Sequence, residues 1–311
     1  MSSLENSKQE GRYLYAILIT AIILAAEIIG GILTGSLALL SDSAHMFTDV
    51  FALVVSYSAF RIARKPVDER HTYGYHRVEV FAALVNGLSL AIICGGIWWE
   101  AVERFITPGQ VDGLPMLIIA AIGLVANILV ALILKPGHHH HDHDHHKGHE
   151  EDDINMQSAY LHVIGDALSS IGVIIAGLAI WLTGALWIDP LISILIGIMI
   201  AISSYRLLRR SVHILLEGTP EGISIPEIAS AIGEVNGVDE VHDLHIWNIG
   251  SSNVSLSAHV TLTSEGCLQQ PVILNQIREM LLKKFSLEHV TIQLEIESCG
   301  QGTRIIHKSL E

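Results

Sequence analysis

The chain has 311 residues, 50% of them apolar and only 16% charged, with a mean hydropathy of +0.47. That is too apolar for an ordinary soluble domain and implies several membrane spans. A formal charge of −14 argues against nucleic-acid binding, and three scattered cysteines (Cys94, Cys267 and Cys299) exclude a disulfide framework and a Cys-x-x-Cys zinc knuckle.

Residues 1–12 are polar and lack a small-residue cleavage site, so they read as a cytoplasmic N-terminus rather than a signal peptide. Six apolar segments follow, near 13–34, 38–62, 78–104, 114–135, 155–183 and 187–209. Each has the roughly 20 residues that a helix needs to cross a bilayer. Gly30, Gly31 and Gly35 are expected to form the first turn, Pro108 and Gly109 lie in the third loop, and Asp189-Pro190 opens the last span. Lys and Arg gather on one side, at Lys8, Arg12, Arg61, Arg64, Lys65, Arg70, Arg77, Lys135, Lys147, Arg206, Arg209 and Arg210. Arg104 is the exception. The basic side is cytoplasmic, so an even number of spans places both termini there. Residues 13–210 thus predict a six-helix transmembrane domain.

Of 18 histidines, eight fall between His138 and His149, in a cytoplasmic loop spanning 136–153. Such a tract cannot build a core and is suited to binding metal. Residues 211–311 change to mixed polarity. Helical periodicity at 225–235 and 270–285, and alternation at 240–248, 254–262 and 289–297, give a small α+β layer in the order αββαβ. A domain of this size is marginal alone and is expected to dimerise.

Two pairs carry the chemistry. His45 and Asp49 lie four residues apart in the second span, as do His162 and Asp166 in the fifth. On a helix, that spacing puts each pair on one face. Ionisable groups at this depth are costly and must face the interior. Together they offer two imidazole nitrogens and two carboxylate oxygens, a tetrahedral set that suits Zn2+, with Cd2+ and Co2+ as secondary candidates. The same ligands bind protons, so metal and proton compete for them. Asp42, one turn before His45 and nearer the outer surface, either caps the helix start, the favoured reading, or helps release an ion.

Asp68, His71 and His76 form a second cluster, at the cytoplasmic loop between the second and third spans. A third lies in the soluble domain: His242, His245, His259, Glu288, His289, Glu295 and Cys299. Strand alternation places His242 with Leu244 and Ile246 on one face and His245 with Asp243 and Trp247 on the other, so His242 and His245 are not expected to share an ion. No His-Glu-x-x-His string supports a metalloprotease. A metal sensor would not need ligands within the membrane.

The strings SDSAHMFTDV (41–50), HTYGYHRVE (71–79), HVIGDALSS (162–170), LLEGTP (215–220), VHDLHIW (241–247), SAHV (257–260) and HVTIQLE (289–295) resemble the zinc-exporting branch of the cation diffusion facilitator family. The likeness runs from about residue 11 to residue 299. It implies a homodimer in the lipid bilayer, a cytoplasmic ferredoxin-like domain, and export of zinc in exchange for protons. The prokaryotic cytoplasmic membrane is the expected location, and no organic cofactor is expected. Zn2+ is then both the cargo and a structural or regulatory ion in the soluble domain. The family also uses a ligand just before the last strand, which implies either Glu288 or His289 beside His242, His259 and Glu295. Where some members carry a second His in the loop, this chain has Tyr75.

Overall fold

The structure, a computed structural model, describes residues 20–134, 167–250 and 253–296. The N-terminal 1–12, the His-rich loop, His162, Asp166 and Cys299 lie outside these. The helices are α1 (Thr20–Thr34), α2 (Leu37–Ala63), α3 (Arg77–Ile106), α4 (Gly113–Leu134), α5 (Ala167–Thr183), α6 (Ile188–Leu215), α7 (Ile225–Gly233) and α8 (Gln270–Phe285). The strands are β1 (Val238–Asn248), β2 (Val254–Leu262) and β3 (His289–Glu295). By length and composition, α2, α3 and α6 can each cross a membrane, and the described parts of α1, α4 and α5 are shorter apolar helices. Two compact units result: Met1–Leu53 with Asn86–Arg206, and Val54–Val85 with Leu207–Glu311.

The first unit is helical, with its polarity turned outward-apolar. Leu33 is 76% exposed, Ile92 70% and Trp99 77%, while Glu27, Ser41, Asp42, Ser169, Ser170 and Asp189 are buried. A soluble bundle does the reverse; this arrangement suits hydrocarbon as the solvent. Ala38, Leu39, Cys94, Met116, Val173 and Ile196 form its apolar centre. α4 and α5 pack backbone to backbone through glycines. A Cβ at Gly113 would lie 2.6 Å from the Trp181 nitrogen, and one at Gly177 2.9 Å from the Leu117 nitrogen. In a membrane such small-residue seams replace the missing hydrophobic drive between helices.

The first turn uses Gly35 alone. Its φ is +69°, and a Cβ there would collide with the Gln110 carbonyl oxygen. Gly30 and Gly31, expected in the same turn, remain helical. They serve close packing instead: a Cβ at Gly30 would lie 2.6 Å from Ile119 Cδ1, and one at Gly31 2.7 Å from Leu40 Cγ.

The start of α2 is capped from another helix. Asp189, in the first turn of α6, accepts hydrogen bonds from Ser36 Oγ at 2.7 Å, Leu37 N at 2.8 Å and Ala38 N at 3.1 Å. These satisfy donors that a helix start leaves open and place a carboxylate at its positive end. Arg104 Nη1 lies 3.5 Å from the same carboxylate, donates to the Gly35 carbonyl, and its Nε meets Glu100 at 2.9 Å. That explains the basic residue on the otherwise uncharged side: it is an internal partner. The expected cap, Asp42, is a turn too far along. It accepts instead from the hydroxyls of Ser169 and Ser170 on α5.

In the second unit, β1 pairs antiparallel with β2, and β2 pairs parallel with β3. A parallel pair needs a crossover, and α8 supplies it. Ile228 and Ile232 of α7 and Ile273, Ile277 and Leu281 of α8 pack on Leu244, Ile246, Leu256, Ala258 and Val260. Ser224 caps α7, accepting from the Glu227 nitrogen at 3.4 Å. The helix stops at Gly233, two residues earlier than its apolar periodicity predicts, and Gly237 (φ +94°) turns the chain into β1. The expected order αββαβ is thus present.

Candidate metal centres

α2 carries His45, which is partly buried, and Asp49 one turn further along. The other predicted pair, His162 and Asp166, falls just before α5 and outside the described residues. Among the described residues, α2 meets the start of α5 at Asp42. Asp42, three residues before His45, takes two hydroxyls from the start of α5.

The loop cluster comes apart into a turn and a separate histidine. Asp68 Oδ1 accepts from the backbone nitrogens of Arg70 at 2.8 Å and His71 at 2.7 Å, and meets His71 Nδ1 at 3.0 Å. Its Oδ2 accepts from the Tyr75 hydroxyl at 2.7 Å, and the Tyr75 and His71 rings sit 4.3 Å apart. Asp68 therefore organises the loop around itself. His76 faces elsewhere, lining a cavity with Ser56, Arg64, Glu79 and Asn253. Where the resemblance leaves Tyr75 in place of a histidine, the hydroxyl donates to Asp68.

These donors hold the Asp68 carboxyl at about 2, Tyr75 contributing most. A carboxyl lowered on folding contributes stability above its ordinary range and loses it as pH falls from about 4 towards 2. Tyr75→Phe is expected to move the Asp68 titration midpoint back up towards 3.8, read by carboxyl carbon NMR. An unmoved midpoint would remove Tyr75 from this role.

The soluble domain assembles a compact site on the outer sheet face. His242 sits opposite His259 in the β1–β2 register, and His259 opposite Gln293 in β2–β3, two residues from Glu295. Glu295 bridges both rings: His242 Nε2 to Oε2 is 3.3 Å and His259 Nδ1 to Oε1 is 2.9 Å. All three donors lie within 4.8 Å of one another. Ligands on a tetrahedral zinc at about 2.0–2.2 Å sit roughly 3.3 Å apart, so the spacing is compatible with one ion held by these three donors. His242 is 5% exposed and Glu295 9%, so an ion here would be largely screened from water. Gln293 Nε2 donates to Glu295 Oε1 at 2.8 Å and steadies the carboxylate.

A β-bulge creates this face and overturns the expected alternation. Asp243 has φ +50°, and the register slips between His242 and His245. The extra residue reverses the phase of the strand. His242, opposite His259, and His245, opposite Ser257, now share the outer face, while Leu244 and Ile246 enter the core. The bulge also brings Asp243 to 3.1 Å from His245 Nε2 and 3.9 Å from His259 Nε2. Sequence reasoning missed Asp243. Its one signal was an Asp inside a strand, where it is disfavoured except in a left-handed turn. Glu288 and His289 are exposed and stand apart from the cluster. His289 pairs with Ser255, four positions from His259 along β2, or about 13 Å at strand rise.

A family model described as the cation efflux transmembrane domain matches residues 13–216. The chain belongs to the cation efflux family. A second model, the cation efflux protein cytoplasmic domain, matches residues 220–297 and covers α7, α8 and the sheet. This member of the family is therefore an integral membrane protein with a transmembrane domain and a C-terminal cytoplasmic domain built on a small sheet. It is 41% identical over 305 residues to the zinc transporter ZitB of Pectobacterium atrosepticum, covering 97% of this chain and 90% of that one. It is 41% identical over 281 residues to the cadmium, cobalt and zinc/H(+)-K(+) antiporter of Bacillus subtilis, covering 90% and 87%. A solved structure, the metal-bound C-terminal domain of the CzcD transporter from Cupriavidus metallidurans, aligns with 24% of this chain and all of its own, at 36% identity and a TM-score of 0.22.

Proposed function

We propose that this chain exports zinc from the cytoplasm in exchange for protons, through His45, Asp49, His162 and Asp166. The clasp between Asp42 and Ser169/Ser170 carries the reading, because it sets the level of α2 against α5. The start of α2 lies at Asp189, just past the end of α5, so the two helices run antiparallel. From Asp42, α2 reaches His45 after three residues and Asp49 after seven. In the sequence, Asp166 lies four positions before Ser170 and His162 eight. These intervals match those from Asp42 to His45 and Asp49 to within a residue, which supports pairing the two motifs.

That set of two nitrogens and two oxygens selects Zn2+, admits Cd2+ and Co2+, and disfavours Mn2+. The zinc transporter of Pectobacterium and the cadmium, cobalt and zinc antiporter of Bacillus support this preference. Protons compete for the same imidazoles and carboxylates and reset the carrier. The architecture that serves this is six transmembrane helices over 13–210, with a cytoplasmic N-terminus at 1–12 and a His-rich cytoplasmic loop at 136–153. A cytoplasmic ferredoxin-like domain at 211–311 pairs two copies into a homodimer in a bacterial cytoplasmic membrane, both termini inside. The loop gathers zinc at the entrance. The site of His242, His259 and Glu295 holds a structural or regulatory zinc, which would bind the two imidazoles and the carboxylate and tie all three strands together.

Reconstituted transport tests the reading. Zinc, cadmium and cobalt are expected to drive proton flux in proteoliposomes, and manganese to drive little. Zinc binding without flux would make the chain a sensor or store, and manganese moving as fast as zinc would contradict the donor set.

A further inference from the structure

Glu27 is a buried acid that the transport site does not use. It lies in α1, is 1% exposed, and neither carboxyl oxygen has a hydrogen-bond partner among the described residues. Its space is made by α4: a Cβ at Gly123 would collide with Glu27 Oε1. One turn earlier on α1, Ile23 and Leu24 pack with Met46 of α2 beside Ala126 of α4, so the surroundings are apolar. The ionisable group that faces it, among the described residues, is Asp42 of α2, close enough for the two carboxyls to interact. α4 offers Gly123 and no charge, and the described part of α1 holds no other ionisable residue.

A bare carboxylate without donors is costly in apolar surroundings, and repulsion from Asp42 adds to that cost. A proton on Glu27 removes both penalties. An ionisable group kept in such a place is suited to taking up and releasing that proton. We propose that Glu27 is a proton-binding site of the transport cycle, separate from the four metal ligands. It holds a proton while packed against Gly123. When α1 and α4 part enough to admit water, the proton leaves to solvent and the carboxylate remains hydrated until the helices close again. The proposal rests on the reading of this chain as a proton-coupled zinc exporter.

The test uses the full chain in proteoliposomes, with zinc and proton fluxes followed separately for wild type and Glu27→Gln. Fewer protons are expected to move per zinc in Glu27→Gln, and its zinc flux is expected to lose about tenfold of its response to an imposed pH gradient, within the usual range of coupling between two ligands. Infrared difference spectra at neutral pH are expected to show a protonated-carboxyl band in wild type that Glu27→Gln lacks. An unchanged proton-to-zinc ratio, or no such band, overturns the proposal alone. A folded Glu27→Gln protein that moves no zinc assigns Glu27 to the metal path and overturns it too. A wild-type protein that moves zinc without protons overturns the antiport reading and this proposal together.

Discussion

Asp49→Ala and Asp166→Ala are each expected to cut zinc transport by about 100-fold or more, while the protein still reaches the membrane and still binds zinc at its cytoplasmic site. The size follows from ligand chemistry. Partners one shell removed from a metal already cost about 10–100-fold in affinity when lost, so a ligand costs at least the upper end. Removing one carboxylate also leaves three donors of weaker total charge, and the closed tetrahedral set is gone. The check is zinc-driven proton flux in proteoliposomes, with binding stoichiometry measured on the same protein. If both substitutions left flux intact, the pairing of α2 and α5 as the transport site would be wrong. Because Asp42 sets the helix level and contributes no ligand in this scheme, Asp42→Asn should slow transport far less than Asp49→Ala does.

The second large effect concerns the sheet. His259→Ala is expected to remove one bound zinc per chain and to abolish zinc protection of β1, β2 and β3 amides against hydrogen exchange. At a zinc concentration near 100 times the dissociation constant, one such site stabilises the folded form by about 2.7 kcal/mol. His259 is the informative position because it contacts Glu295 through Nδ1 at 2.9 Å and approaches Asp243 through Nε2. His289→Ala should change neither stoichiometry nor protection within one chain, since His289 pairs far down the strand at Ser255. Loss of a zinc on His289→Ala would instead mean that a second copy completes the site. A zinc effect that survives His259→Ala would reduce the three-residue cluster to a hydrogen-bonded network without metal.

Much of this was legible in the residues. The helices α2, α3 and α6 begin and end within a few residues of the apolar runs that predict them, α6 running six residues past its run. The cytoplasmic elements appear in the predicted order for the same reason: periods of 3.6 and 2 are local properties of a segment. His45 and Asp49 share a face of α2 because four residues make about one turn, whatever surrounds them. His242, His259 and Glu295 were also visible as candidates, each on its own strand. Which of the candidates meet was another matter. The β1–β2 and β2–β3 registers bring Glu295 to both rings and leave Glu288 and His289 behind.

The remaining errors share one cause. Asp42 looks like a cap because it is an Asp near a helix start, yet α2 begins five residues earlier and takes its cap from Asp189, more than 150 positions away. Arg104 looks misplaced until that carboxylate is found beside it. Tyr75 looks like a lost ligand until its hydroxyl is seen on Asp68. The alternation of β1 fails at one left-handed residue, Asp243, which reverses the phase of the strand and puts His242 on the same face as His245. By itself the sequence determined the helices, the strands, the one-turn spacing of His45 and Asp49 on α2 and the chemistry such donors favour, since these depend on composition and on periods within a segment. Only the tertiary structure decided the partners of Asp42 and Asp189, the burial of Glu27 against Gly123 and the membership of the cytoplasmic cluster. Those depend on backbone dihedrals at single residues and on contacts between distant segments, which no local pattern encodes.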